Sequence, residues 1–402
     1  MTSTRTFGRR KLFTSLLASP LLLATPTSIT VFESGTRRAW AFGREDGPWG
    51  NLTVSPIVVS PPLEYLPIDR SRPASPRWYF ASMTVEGLDR LLHEAGFSDA
   101  DAAQLRDWAR SDPARGGVTI QPSPAFVRAI QPDVRARLYL YLSQNPLNFD
   151  QQSAYRFYGD SLDEWLGDGL QPRTRALVEP LVYRTGGFLF FADIELIRSD
   201  LGSDRELQRL TKRLLRQATV MVSLRVDDAS QLDSLIEYWG RGGRRTDIRP
   251  LLESMAEAAP ERSIDIAHLL PELPRRLLYR YPKVSQQDLE KPQLANCFWT
   301  ALNFFNSEPD DRLLDPKIAL QRLHEDYFLV HGKLQLGDIV AFSDSHQKIF
   351  HVAVYVADEL VFTKNGFFSL TPWAILPMDR LKGHFMEYVH DWNVTYYRRN
   401  DL

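Results

Sequence analysis

Between Trp78 and Tyr281 the apolar positions fall mostly three and four residues apart, the spacing of an amphipathic helix. Val85 to Ala95 carries Leu88, Leu91, Leu92 and Ala95 on one stripe, and Gly96 ends it. Ser98 caps a second helix to about Arg110, with Asp99 and Asp101 in its first turn, where the helix dipole favours negative charge. Ser123-Pro124 opens a third, striped by Phe126, Ile130, Val134, Leu138 and Leu142. Helical spacing returns at 161–168, 172–185 and 204–217, from Ser230 to Trp239, from Asp247 to Ala258, and from Ile264 to Leu278. One segment alternates instead: Ala218 to Val226 is rich in β-branched residues and predicts a strand ending at Asp227-Asp228.

Past the proline-bracketed polar stretch Pro282 to Pro292 the pattern changes. Asn296 to Asn306 is apolar on nearly all sides, which predicts a buried central helix. Pro316 to Tyr327 predicts a second helix. Strands are expected at Ile339–Phe342, His351–Val356, Leu360–Lys364, Met386–Val389 and Val394–Tyr397. A buried helix followed by an antiparallel sheet makes an α+β layer architecture. Residues 42–77 hold Pro56, Pro61, Pro62, Pro67, Pro73 and Pro76, which rule out long helices and predict an extended lead-in. The expected division is a leader at 1–41, the extended segment 42–77, a mostly helical domain 78–283 and an α+β domain 284–402.

Composition changes this picture at the N-terminus. Arg9-Arg10-Lys11 precedes an apolar run, Leu12 to Ala24, too short to span a bilayer, and Ala39-Trp40-Ala41 has the form of a cleavage site. The paired arginines followed by Leu12-Phe13 look somewhat like a twin-arginine signal, so export to the periplasm or beyond is expected. Removing 1–41 takes six basic side chains and one acidic one, leaving 42 basic against 49 acidic. An acidic exported chain is a poor nucleic-acid binder. No later segment is long enough for a membrane span, and one cysteine excludes an internal disulfide. Asn51-Leu52-Thr53 fits a glycosylation acceptor, a pattern that also arises by chance.

Most polar clusters have a bland explanation. Arg241, Arg244 and Arg245, set among Gly240, Gly242 and Gly243, offer an anion site, but local ion pairs are the simpler expectation. His93 and His268 suit hydrogen-bonded structural roles, and His346 suits a loop. His324, His331, His384 and His390 make no metal-ligand spacing, and neither a cofactor nor a metal is expected. Tyr279, Tyr281 and Gln293, upstream of the cysteine, are weak candidates for an oxyanion or substrate contact.

Cys297 is different. Asn296 is a good N-cap, so Cys297 falls in a helix's first turn, where unpaired amides and the dipole favour a thiolate and can serve an oxyanion. On its own it also fits an ordinary core cysteine. His351 opens the run His-Val-Ala-Val-Tyr-Val, and alternation puts His351, Ala353 and Tyr355 on one face, which could be the face of the cysteine helix. A base needs something to orient it. A three-residue loop at 357–359 puts Asn365 opposite His351; a two-residue loop at 358–359 puts Gly366 there and brings Lys364 to that face. Asn365 could then fix the imidazole, with Thr363 the weaker alternative, although Asn365-Gly366 is also a plain turn dipeptide.

Asn-Cys at a helix start, Leu-Gly-Asp-Ile-Val-Ala-Phe and His-Val-Ala-Val-Tyr-Val-Ala-Asp together resemble the NlpC/P60 family of papain-like cysteine hydrolases, over about residues 290–370. The resemblance implies a papain-like domain with Cys297 as nucleophile, His351 as base and a polar orienter, hydrolysing an amide, often in peptidoglycan stem peptides. The family's third residue falls near Thr363, so the orienting role passes to Asn365. The family's Asp-Cys-Ser-Gly is Asn296-Cys297-Phe298-Trp299 here, and these aromatics crowd the nucleophile. An exported cysteine hydrolase is therefore expected. The alternatives are an inactive papain-like binding or scaffold module, or a thioester acyl- or peptidyl-transferase.

Overall fold

The computed structural model describes residues 28–30, 47–66, 76–159, 161–226, 231–257, 263–283, 295–365, 370–384 and 391–402. The fold is α+β, and among the described residues its strand pairings are antiparallel apart from one isolated parallel bridge. One sheet has the order β1 (Ser28–Thr30), β2 (Asn51–Ser60), β9 (Gln217–Arg225), β10 (Ser263–Asp265). A second runs β3 (Trp78–Ala81), β5 (Gly117–Ile120), β4 (Ala109–Asp112), and a third β6 (Tyr155–Tyr158), β8 (Phe188–Phe191), β7 (Tyr183–Thr185). The fourth has six strands: β11 (Tyr327–Leu329), β16 (Trp392–Arg399), β12 (Ile339–Asp344), β13 (Ile349–Ala357), β14 (Leu360–Lys364), β15 (Trp373–Pro377).

The helix starts at 99 and 124 fall where Ser98 and Ser123 predict them, and the helix at 85 begins where its apolar stripe does. Thr84, Ser98 and Ser123 each accept a main-chain N–H three residues on. Among its described residues the region 78–283 nevertheless carries seven strands that helical spacing hid. The expected helix at 172–185 stops at Val178 and ends as β7, and 264–278 is a strand end, a single 3₁₀ turn and a short helix, Glu272–Leu277. The lead-in is a long strand: β2 pairs with β9 from Asn51↔Arg225 to Val59↔Gln217, with Ile57 and Val59 in the core. Among the described residues β1 pairs only with Val58 to Ser60, which leaves Pro56 without a described neighbour on that side.

The expected boundary near 283 is crossed by packing. One core joins Val220, Leu235, Trp239, Leu269 and Tyr281 to Cys297, Trp299, Val354 and Phe362. Main-chain bonds do the same: Tyr279 N–H donates to Trp373 O at 2.8 Å, and Trp373 N–H to Arg280 O at 3.1 Å. A second core gathers Val58 and residues 78–218. Apart from Ser28–Thr30, the leader lies outside the described residues, as do the strand expected at Met386–Val389, Gln293 and His390. Among the described residues no helix is long and apolar enough to cross a membrane.

The Gly337-Asp338 motif has a packing cause. Gly337 has φ +93°, and a Cβ there would collide with the Phe305 ring. Buried Asp338 accepts from Gln335 N–H at 2.8 Å and pairs with Arg398 at 2.7 Å, pinning β16 to the turn before β12.

Candidate functional site

The cysteine helix spans Cys297–Leu302. Asn296 caps it by accepting Trp299 N–H at 3.0 Å. Its other end is closed by buried Asn303, whose side chain donates to Trp299 O at 3.0 Å and accepts Asp310 N–H at 2.7 Å. The helix lies on β13 and β14, with Trp299, Thr300, Ala301 and Leu302 buried. Full burial of Trp299 contributes about 2–3 kcal/mol, and its indole N–H is satisfied by Asp311 at 3.0 Å.

Cys297 is 6% exposed. Burial pushes its thiol up from the ordinary cysteine range. The main-chain N–H groups of Val352, Phe298 and Cys297 itself, together with the field of Lys364, pull it back down.

The register between β13 and β14 combines the two expected loops. Ala357 pairs with Leu360 around a two-residue turn, Asp358-Glu359, with Asp358 at φ +51°. A bulge at Val356 then absorbs one residue, so Val354 faces Phe362. Carried on, that row puts Asn365 opposite His351 and Lys364 opposite Val352.

The two rows point to opposite faces. Val352, Val354, Ala341 and Phe362 belong to the core that holds Cys297. Ala353, Tyr355, Val361 and Phe342, the partner of His351 across β12, form a separate cluster with Met378 and Leu381 of the Met378–Gly383 helix. His351 therefore shares the face of Ala353 and Tyr355, away from the residues on which the cysteine helix packs. Among the described residues no hydrogen bond joins Cys297 to His351. The expectation that His351 faces the cysteine helix fails because the helix took the valine face.

His351 is 1% exposed, and its Nε2 lies 2.9 Å from Thr363 Oγ1. Burial, with a smaller effect from Arg156, pushes its pKa down to about 3. The group expected to orient the imidazole was Asn365, whose side-chain nitrogen instead bonds His384 Nε2. Burial also pushes His384 well down, and its ring packs edge-on against Phe188 of β8.

The residue that sequence reasoning undervalued is Lys364. It is 1% exposed on the cysteine side of β14. Its Nζ donates to Thr371 O at 3.1 Å and lies 5.2 Å from the Trp373 ring centroid. That ring's N–H donates to Thr300 Oγ1 at 2.9 Å, one helical turn past Cys297. Burial lowers the lysine's pKa to about 7, against the raising field of Cys297. The signal was present: Leu360, Phe362 and Lys364 alternate onto one face, and the first two are apolar.

The remaining candidates are structural. Tyr279 and Tyr281 are buried, with hydroxyls donating to Val220 O at 2.6 Å and Leu215 O at 2.7 Å. Arg244 caps its own loop by donating to Trp239 O and Leu269 O, and Arg245 pairs with Glu237. His93 bonds Asp89 O and Asp99, while His268 is exposed, in a 3₁₀ turn where a helix was expected. The chain matches no protein-family model, no curated protein and no solved structure.

Proposed function

We propose that the chain is an exported thiol hydrolase of the papain-like, NlpC/P60 type, cleaving an amide bond in peptidoglycan-like peptides. The observation that carries the reading is the sulfur at the first residue of a helix capped by Asn296, where first-turn main-chain N–H groups lack partners within the helix. Such donors favour a thiolate and suit the oxyanion that forms when it attacks a carbonyl. Cys297 attacks the amide carbon, the C–N bond breaks, and the amine leaves with the proton the thiol gave up. Water then hydrolyses the thioester, releasing the carboxylate and restoring the thiol. The buried sulfur makes the described form a closed one, so substrate binding has to open it. The same burial favours a second reading, a papain-like module that binds without catalysis.

The test is incubation of the full chain with peptidoglycan fragments, read by mass spectrometry. Amide cleavage lost in Cys297→Ala supports the hydrolase. Cleavage that survives in Cys297→Ala overturns the nucleophile. Absent cleavage, with Cys297 refractory to alkylation even at high pH, selects the non-catalytic module.

A further inference from the structure

We propose that Lys364, not His351, is the proton acceptor and charge partner of the Cys297 thiol, a positioning residue for the nucleophile. This rests on the reading of Cys297 as nucleophile. Three geometric observations place the lysine. It follows Leu360 and Phe362 on the face of the strand that packs in one core with the cysteine helix. It is held from two sides, by the Thr371 carbonyl and the Trp373 ring. That ring is fastened to Thr300 on the cysteine helix, so helix, indole and lysine form one buried unit.

A lysine this buried holds its charge only if something nearby favours it. Among the described residues Cys297 is a titratable group whose field acts on it, and the reciprocal effect falls on the thiol. The near-neutral lysine value follows from burial, which also makes the free amine available as a base. The step is a single proton transfer: the S–H bond breaks, an N–H bond forms, and a thiolate–ammonium pair results. The two groups titrate as a pair. His351 pairs with Phe342 on the other face, where its ring bonds Thr363.

The experiment is the iodoacetamide alkylation rate of Cys297 in the full chain across pH. Lys364→Met should slow alkylation at pH 7.5 at least tenfold and move the profile's midpoint up by more than one pH unit. Lys364→Arg, permanently charged, should flatten the profile on its acid side. His351→Asn should stay within twofold of wild type. A Lys364→Met rate within twofold of wild type, or a profile moved by His351→Asn alone, overturns the pairing. Should Lys364→Met fail to fold, the decisive measurement is the Lys364 side-chain titration in ¹³C-lysine-labelled protein, wild type against Cys297→Ala. A fall of more than one pH unit without the sulfur supports the pair, and an unchanged titration overturns it. Neither readout needs turnover. Absent amide cleavage with a Lys364-dependent profile would fault the hydrolase reading alone; cleavage with a Lys364-independent profile would fault the pairing alone.

Discussion

The two faces of the six-stranded sheet solve opposite problems with consecutive residues. On the cysteine face, Cys297 and Lys364 are polar groups set into an apolar core, and the Thr371 carbonyl and the Trp373 ring support the lysine. On the other face, His351 meets Thr363 and Asn365 meets His384, beneath a short helix and against Phe188 of the third sheet. Thr363, Lys364 and Asn365 follow one another in the chain, yet the pleat sends the middle one to one face and its neighbours to the other. A cysteine, a histidine and an asparagine that look like one constellation along the sequence are thereby divided. The face with the cysteine keeps a lysine, and the face with the histidine keeps its own polar partners.

The largest expected effect separates the faces by pH. Lys364 has a folded pKa near 7, below its ordinary 10.5. Between those values the unfolded chain holds a proton that the folded chain lacks, so stability rises with pH across that window. The penalty, fully present below pH 7, is on the order of 4 kcal/mol. His351 has a folded pKa near 3, below 6.5. The same sign applies: stability is lost as pH falls from 6.5 toward 3, by a similar order of magnitude. Urea unfolding from pH 4 to pH 10 checks both. Lys364→Met should remove the alkaline rise and stabilise the chain at pH 6, and His351→Gln should soften only the acid loss. One variant flattening both windows would mean that the two faces are coupled.

A smaller effect isolates the histidine face. Thr363→Val leaves buried His351 Nε2 without its 2.9 Å partner. An orphaned buried polar atom costs about 1–3 kcal/mol, visible as a lowered urea midpoint at pH 7. The alkylation profile of Cys297 should not move. A moved profile would show that the imidazole acts through the sheet on the sulfur after all.

Much of the C-terminal sheet was legible in the residues. Alternation and turn residues place β12, β13 and β14 within a residue or two, and the Asn296 cap places the helix start. Choosing between the faces of β13 was beyond alternation, because Val352 and Val354 on one side and Ala353 and Tyr355 on the other are all buried. The Val356 bulge was hidden as well, since a bulge is set by the turn and the neighbouring strand rather than by its own side chain. The small sheets between Trp78 and Phe191 escaped for another reason. Their strands are three or four residues long, too short to show a period of two inside helical surroundings. Tyr279 and Tyr281 were legible only as tyrosines; their role in sewing β9 to the segment beside β15 depends on contacts some sixty residues away.

The smallest expected effect is the most discriminating, because two readings of Asn365 predict different magnitudes. As the orienting member of a cysteine-histidine set, Asn365 would take most of the activity with it when replaced by Ala. The geometry gives it a lesser task. Its side chain bonds His384, and its carbonyl accepts the Thr371 hydroxyl at 2.9 Å. Asn365→Ala removes the first bond and keeps the second, because the carbonyl belongs to the main chain. The Thr371 carbonyl that receives Lys364 should therefore stay where it is. The expected result is a stability loss of about 0.5–1.5 kcal/mol, with the pH profile of Cys297 alkylation and any amide cleavage both within twofold of wild type. A hundredfold loss of cleavage with an unchanged fold would restore Asn365 to the site. It would also require the histidine face to turn toward the cysteine when substrate binds.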